Sequence, residues 1–144
     1  MENTTPEPKQ YSEAEASEWV RSQFQAANKY LAEQGILPER VLTKDSRYLV
    51  PYLAVWKFET KDRKNLWLIN GDVPTDIVGE KAAPSARDAM KHFALQWQLK
   101  AEAIMRDEKM AQDPEQMRYA RYLIERAEGI YAATEDKQLW QNEG

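Results

Sequence analysis

Between residues 13 and 34 the apolar side chains Val20, Phe24, Ala27 and Leu31 recur at spacings of four, three and four, and Trp19 and Tyr30 widen the stripe. That period predicts an amphipathic helix over 13–34 with one buried face. Ser12 and Glu15 stand at the two ends of a capping box, which sets its start. Gly35 sets its stop. A left-handed glycine there brings Leu31 and Ile36 together in a Schellman cap, and Pro38 blocks any continuation. A second long stripe, Met90, Phe93, Ala94, Trp97, Ala101 and Ile104, predicts a helix over 85–111 behind a Ser85–Asp88 cap. A third helix is predicted over 114–131, opened by Asp113 and Pro114 and carrying Met117, Ala120, Ile124, Ala127 and Tyr131.

Between the first two helices the period drops to two. Residues 52–59 alternate, with Ala54, Trp56 and Phe58 on one side and Leu53, Val55 and Lys57 on the other, and Leu66 to Asn70 reads as the returning strand. The charged run Lys61-Asp62-Arg63-Lys64-Asn65 turns the chain, so 52–70 forms an antiparallel hairpin with Trp56 and Trp67 near one another. Pro51 points to a sheet edge or a bulge, and a third strand is expected from 47–50 or 36–42 because a lone hairpin is marginal. The predicted class is α+β: a small antiparallel sheet packed against helices at about 13–34, 85–111 and 114–131. Residues 1–11 are expected to be a disordered leader, 12–131 a single domain and 132–144 a C-terminal tail, in which Trp140 is large enough to dock back.

Composition changes this picture in one respect. Leu, Ile, Val and Phe number only 26 of 144 residues, a share that would suggest disorder in a highly charged chain, but 5 Trp and 7 Tyr replace the missing aliphatics and the net charge is only −4. The core should be aromatic. Residues 19–106 carry ten acids and fourteen bases between two acidic ends, yet a sequence pI near 5.2 lacks the footprint of a nucleic-acid binder. With no cysteine, disulfides, thiolate ligands and a cysteine nucleophile are excluded, which fits a cytoplasmic location. No apolar run approaches the ~20 residues of a membrane span. No phosphate-binding glycine loop, nucleophile elbow or metal-ligand spacing is present, so no cofactor and no metal are expected.

The candidate site is the turn Gly71-Asp72-Val73-Pro74-Thr75-Asp76 after the strand ending at Asn70. Two carboxylates four residues apart, with the Thr75 hydroxyl between them, suit acid/base or ligand-binding work. The structural explanation is the stronger one. Asp commonly accepts amides two residues on, Pro74 fixes a turn, and Thr75 or Asp76 can cap a short helical turn. His92 is the sole histidine and lies beside the apolar stripe of its helix, a boundary position. Asn70, Asp72, Thr75, Asp76 and His92 are therefore the candidate ligand or partner residues.

The blocks Tyr48-Leu49-Val50-Pro51-Tyr52, Ala54-Val55-Trp56-Lys57 and Trp67-Leu68-Ile69-Asn70-Gly71-Asp72-Val73-Pro74-Thr75-Asp76 resemble a small bacterial family whose function is uncharacterised. The similarity covers residues 19–105. It implies a bacterial cytoplasmic protein and assigns no catalytic residues, and the helix beyond residue 112 reads as an addition to the common part. Size and acidity favour a non-catalytic binding module, immunity-like or adaptor, that holds a protein partner. The alternative is a small ligand-binding or hydrolase-like protein using Asp72 and Asp76. Nucleic acid and membrane are not expected as partners, and homo-oligomerisation through the C-terminal helix and Trp140 is compatible with either reading.

Overall fold

A computed structural model describes residues 11–140. Apart from Tyr11, the leader expected at the N-terminus lies outside the described residues, as do residues 141–144 of the tail. The element order is α1 (Glu13–Glu33), β1 (Pro38–Val41), β2 (Arg47–Leu49), β3 (Leu53–Thr60), β4 (Asn65–Gly71), β5 (Asp76–Gly79), α2 (Ala86–Arg106) and α3 (Pro114–Glu135), with a final 3-10 turn over Lys137–Trp140. The fold is α+β. Among the described residues no helix is long and apolar enough to cross a membrane.

The helix ends follow local chemistry. The Ser12 side chain accepts from the Glu15 amide while the Glu15 carboxylate accepts from the Ser12 amide, a complete capping box. Gly35 has φ +76°, and the Ile36 amide donates to Leu31 at 2.8 Å while that of Gly35 donates to Ala32, which is the Schellman pattern. Ser85 caps α2, and Asp113 caps α3 with proline in the first turn. Helix α2 stops at Arg106, short of the expected residue 111, because the Asp107 carboxylate takes the amides of Lys109 and Met110 and starts a new turn. Helix α3 runs on to Glu135 and its buried face is Ala120, Leu123, Ala127, Ile130 and Thr134. Tyr131, expected on that face, is 51 % exposed. The true stripe is rotated by one residue at its C-terminal end, where Ile130 takes the buried place.

The sheet is wholly antiparallel, in the order β1-β3-β4-β5, with β2 also paired to β3. Both segments offered as a third strand are strands, and they share one edge: β1 pairs with Phe58 to Thr60, β2 with Leu53 to Val55. Ser46 bridges the gap between them, its hydroxyl accepting the Lys57 amide at 2.9 Å and donating to Leu42 at 3.0 Å. Asp76 to Gly79, where the sequence suggested a capped helical turn, is instead the edge strand β5. The Asp76 carboxylate takes the amide of Ile77 at 2.9 Å, so that edge is partly satisfied by its own side chain.

Helices cover both faces of the sheet. Ala54, Trp56, Phe58 and Leu68 form one core with Ala27 and Leu31 of α1, whereas Leu53, Val55, Trp67 and Ile69 form the other with α2 and α3. Trp56 and Trp67 are consequently not neighbours. Trp56 lies opposite Leu68 and Trp67 opposite Lys57, which sends the two indoles to opposite faces. Trp140 docks onto the α2/α3 side, 4 % exposed, with its indole N–H on the Ala133 carbonyl and the guanidiniums of Arg47 and Arg87 each 5.8 Å from its ring.

Candidate functional site

The β2–β3 turn, the loop after β4 and the C-terminal half of α3 surround a groove of about 740 Å³, within the ~300–1,000 Å³ usual for ligand sites. Its walls are apolar: Leu49, Val50 and Leu53 from the turn, Val73 from the loop, Ile130 and Ala133 from α3, and Leu139 from the final 3-10 turn. Tyr48 and Tyr52 also line it, as do three acids, Asp72, Glu125 and Asp136, and one base, Arg126. Burial raises the Tyr48 pKa above that of a free phenol.

Two glycines shape the groove in different ways. Gly71 sits at φ +121°, and a Cβ there would lie 2.5 Å from the Tyr52 carbonyl oxygen and 2.7 Å from Leu53 Cα. No side chain fits. The Asp72 amide then donates to that same Tyr52 carbonyl at 2.7 Å, which holds the loop against the turn. Gly129 is the opposite case. It lies inside α3, lines the groove, and nothing stands within 4 Å of where its Cβ would be.

Arg126 organises the charged side. Its guanidinium meets Asp72 at 3.3 Å and Glu125 at 2.7 Å, and lies 5.0 Å from the Tyr122 ring centroid. Burial opposes its charge, but Asp72, Tyr122 and Glu125 together outweigh that effect and hold its pKa above the ordinary value. The Nε–H is buried and has no acceptor among the described residues. Arg126 was not a candidate from sequence, since its importance depends on Asp72, 54 positions away.

The five sequence candidates do not converge. Only Asp72 lines the groove. Asn70 is 2 % exposed and points to the α1 core, its side-chain oxygen accepting from the Trp56 indole and its amide donating to the Gln23 carbonyl, both at 2.9 Å. Asp76 spends one oxygen on the Ile77 amide and the other on the Trp97 indole at 3.1 Å. Thr75 is exposed outside the groove. His92 is half-buried on α2, its ring 6.3 Å from that of the adjacent Phe93. Among the described residues no group of three or more His, Asp or Glu is placed to hold a metal ion.

The family model for a domain of unknown function, DUF4826, matches residues 13–140. The chain belongs to that family. No curated protein and no solved structure gives a significant match. The DUF4826 match takes in α3 and Trp140, so the C-terminal helix is part of the family's common domain and not an addition to it. The groove, with walls drawn from the β2–β3 turn, the Asp72 loop and α3, therefore lies wholly within the DUF4826 region.

Proposed function

We propose that this DUF4826 chain is a non-catalytic binding module that holds a segment of a protein partner in the groove beside α3. The observation that carries the reading is Gly129. A glycine inside a helix costs about 1 kcal/mol relative to alanine, and nothing in the protein occupies the space it leaves. The opening lies on the groove wall, where it lets another chain approach the α3 backbone closely. The apolar walls and the tyrosines supply the kind of contact that binding surfaces favour.

The hydrolase-like reading lacks comparable support, because both Asp76 oxygens are engaged inside the fold and His92 is outside the groove. Oligomerisation anchored on Trp140 loses its anchor, which is buried against its own chain. The resemblance to a bacterial family and the lack of cysteine support action in a bacterial cytoplasm.

The test is a peptide-display selection on the full chain, repeated with Gly129→Trp. Nothing stands within 4 Å of a Cβ at Gly129, and the residue lines the groove, so a bulky side chain there is placed to compete with a bound segment. Peptides enriched on the parent and lost on the variant support the reading. No enrichment, or enrichment that Gly129→Trp leaves unchanged, overturns it.

A further inference from the structure

We infer that the segment taken by the groove is cationic as well as apolar: a stretch of a partner protein in which Lys or Arg flanks aliphatic side chains. This inference rests on the groove being the binding site.

The argument is charge complementarity around an apolar centre. Three carboxylates line the groove, from Asp72, Glu125 and Asp136, against one guanidinium. Arg126 is already held by two of them. Its charge is spent inside the wall, and the lining as a whole keeps an excess of negative charge. The Asp72 side chain is 72 % exposed, as is that of Glu125, so both present oxygens to an incoming group as well as to Arg126. Asp136 ends α3, and its carboxylate accepts the Gln138 amide at 3.0 Å. It stands where the carbonyl end of the helix dipole adds further negative potential.

Arg47 and Arg87 lie nearby but face the Trp140 ring, and Arg87 donates through Nε to the Thr134 carbonyl at 2.8 Å. They do not line the groove. An acidic segment would meet three carboxylates at close range, whereas a basic one brings its own charges to them and its aliphatic side chains to Leu53, Val73 and Ile130. Long basic side chains suit such a rim because their methylene stems cover apolar surface while the charged ends reach outward.

The experiment uses the full chain and arrays of short synthetic peptides whose aliphatic positions are fixed and whose flanking positions are Lys, Gln or Glu. Binding is measured by fluorescence anisotropy on the parent, on Gly129→Trp, and on the isosteric double variant Asp72→Asn with Asp136→Asn. A thermal melt of each confirms that it is folded. The expected result is Lys-series binding roughly tenfold tighter than the Glu series, a gap that narrows with added salt. The double variant should reduce that gap, and Gly129→Trp should abolish binding. If Gly129→Trp abolishes binding but the Gln or Glu series binds as tightly as the Lys series, the inference fails and the groove reading survives. If Gly129→Trp leaves binding unchanged, or no series binds, both fail.

Discussion

Trp56 donates its indole N–H to the side-chain oxygen of Asn70 at 2.9 Å, diagonally across the β3–β4 ladder. The amide end of Asn70 reaches the Gln23 carbonyl, so one buried side chain fastens the sheet to α1 and satisfies an indole that would otherwise be stranded. Asn70→Leu removes both bonds and leaves the buried Trp56 indole N–H without its acceptor. It should cost about 2–4 kcal/mol and lower Tm by roughly 5–15 °C, measured by calorimetry. A variant melting within a degree of the parent would show that the amide is not structural.

Gly71 should tolerate no other residue. Its φ of +121° and the 2.5 Å approach of the Tyr52 carbonyl oxygen to any Cβ put both backbone strain and a clash with main chain on Gly71→Ala. A loss of more than about 2 kcal/mol is expected. Urea denaturation measures it, and a loss below about 0.5 kcal/mol would contradict the tight turn.

Glu80 carries a pH signature. Its pKa is held below 4.5 by the Lys57 ammonium, 2.9 Å away, and then by Asn65. The folded chain thus gives up this proton more readily than the unfolded chain. The contribution is present above the unfolded value and is lost as pH falls through the folded one. Urea titrations should show parent and Glu80→Gln differing in stability at neutral pH, with the difference shrinking at acid pH as the carboxylate takes up its proton. An equal difference at neutral and acid pH would mean that the ion pair is not its source.

Gly129→Ala should raise stability by about 0.5–1 kcal/mol, since it removes a helix-interior glycine without meeting any neighbour. The same substitution should weaken any peptide held in the groove. Paired melts and anisotropy titrations on this variant would separate the two effects, and a lowered Tm would show that the space at Gly129 is not free.

The helix ends were legible because their determinants are local: Ser12 with Glu15, Gly35 before Ile36, Pro114 after Asp113. The alternation of residues 53–58 was equally plain. What could not be read was which helix takes which face, because Trp56 and Trp67 are both large and apolar and only the register, Trp56 opposite Leu68, parts them. β5 was hidden by Asp76, a poor strand former that suits an edge because it bonds the next amide. The candidate site was half legible. Asp72 belongs to the groove, but Asn70 and Asp76 have polar side chains for packing reasons that only tertiary contacts disclose. Arg126 and Gly129 gave no local signal, the first being one of several basic residues on α3 and the second a lone glycine in a helical pattern.

The sheet that divides the two cores also divides the chain's fluorophores. Trp56 is enclosed on the α1 side, whereas Trp67, Trp97 and Trp140 are enclosed on the α2/α3 side. Indole emission from variants that retain one side's tryptophans therefore reports on one half of the molecule at a time. Whether the two halves lose their structure as a unit or in sequence can be followed optically, without attaching any external label.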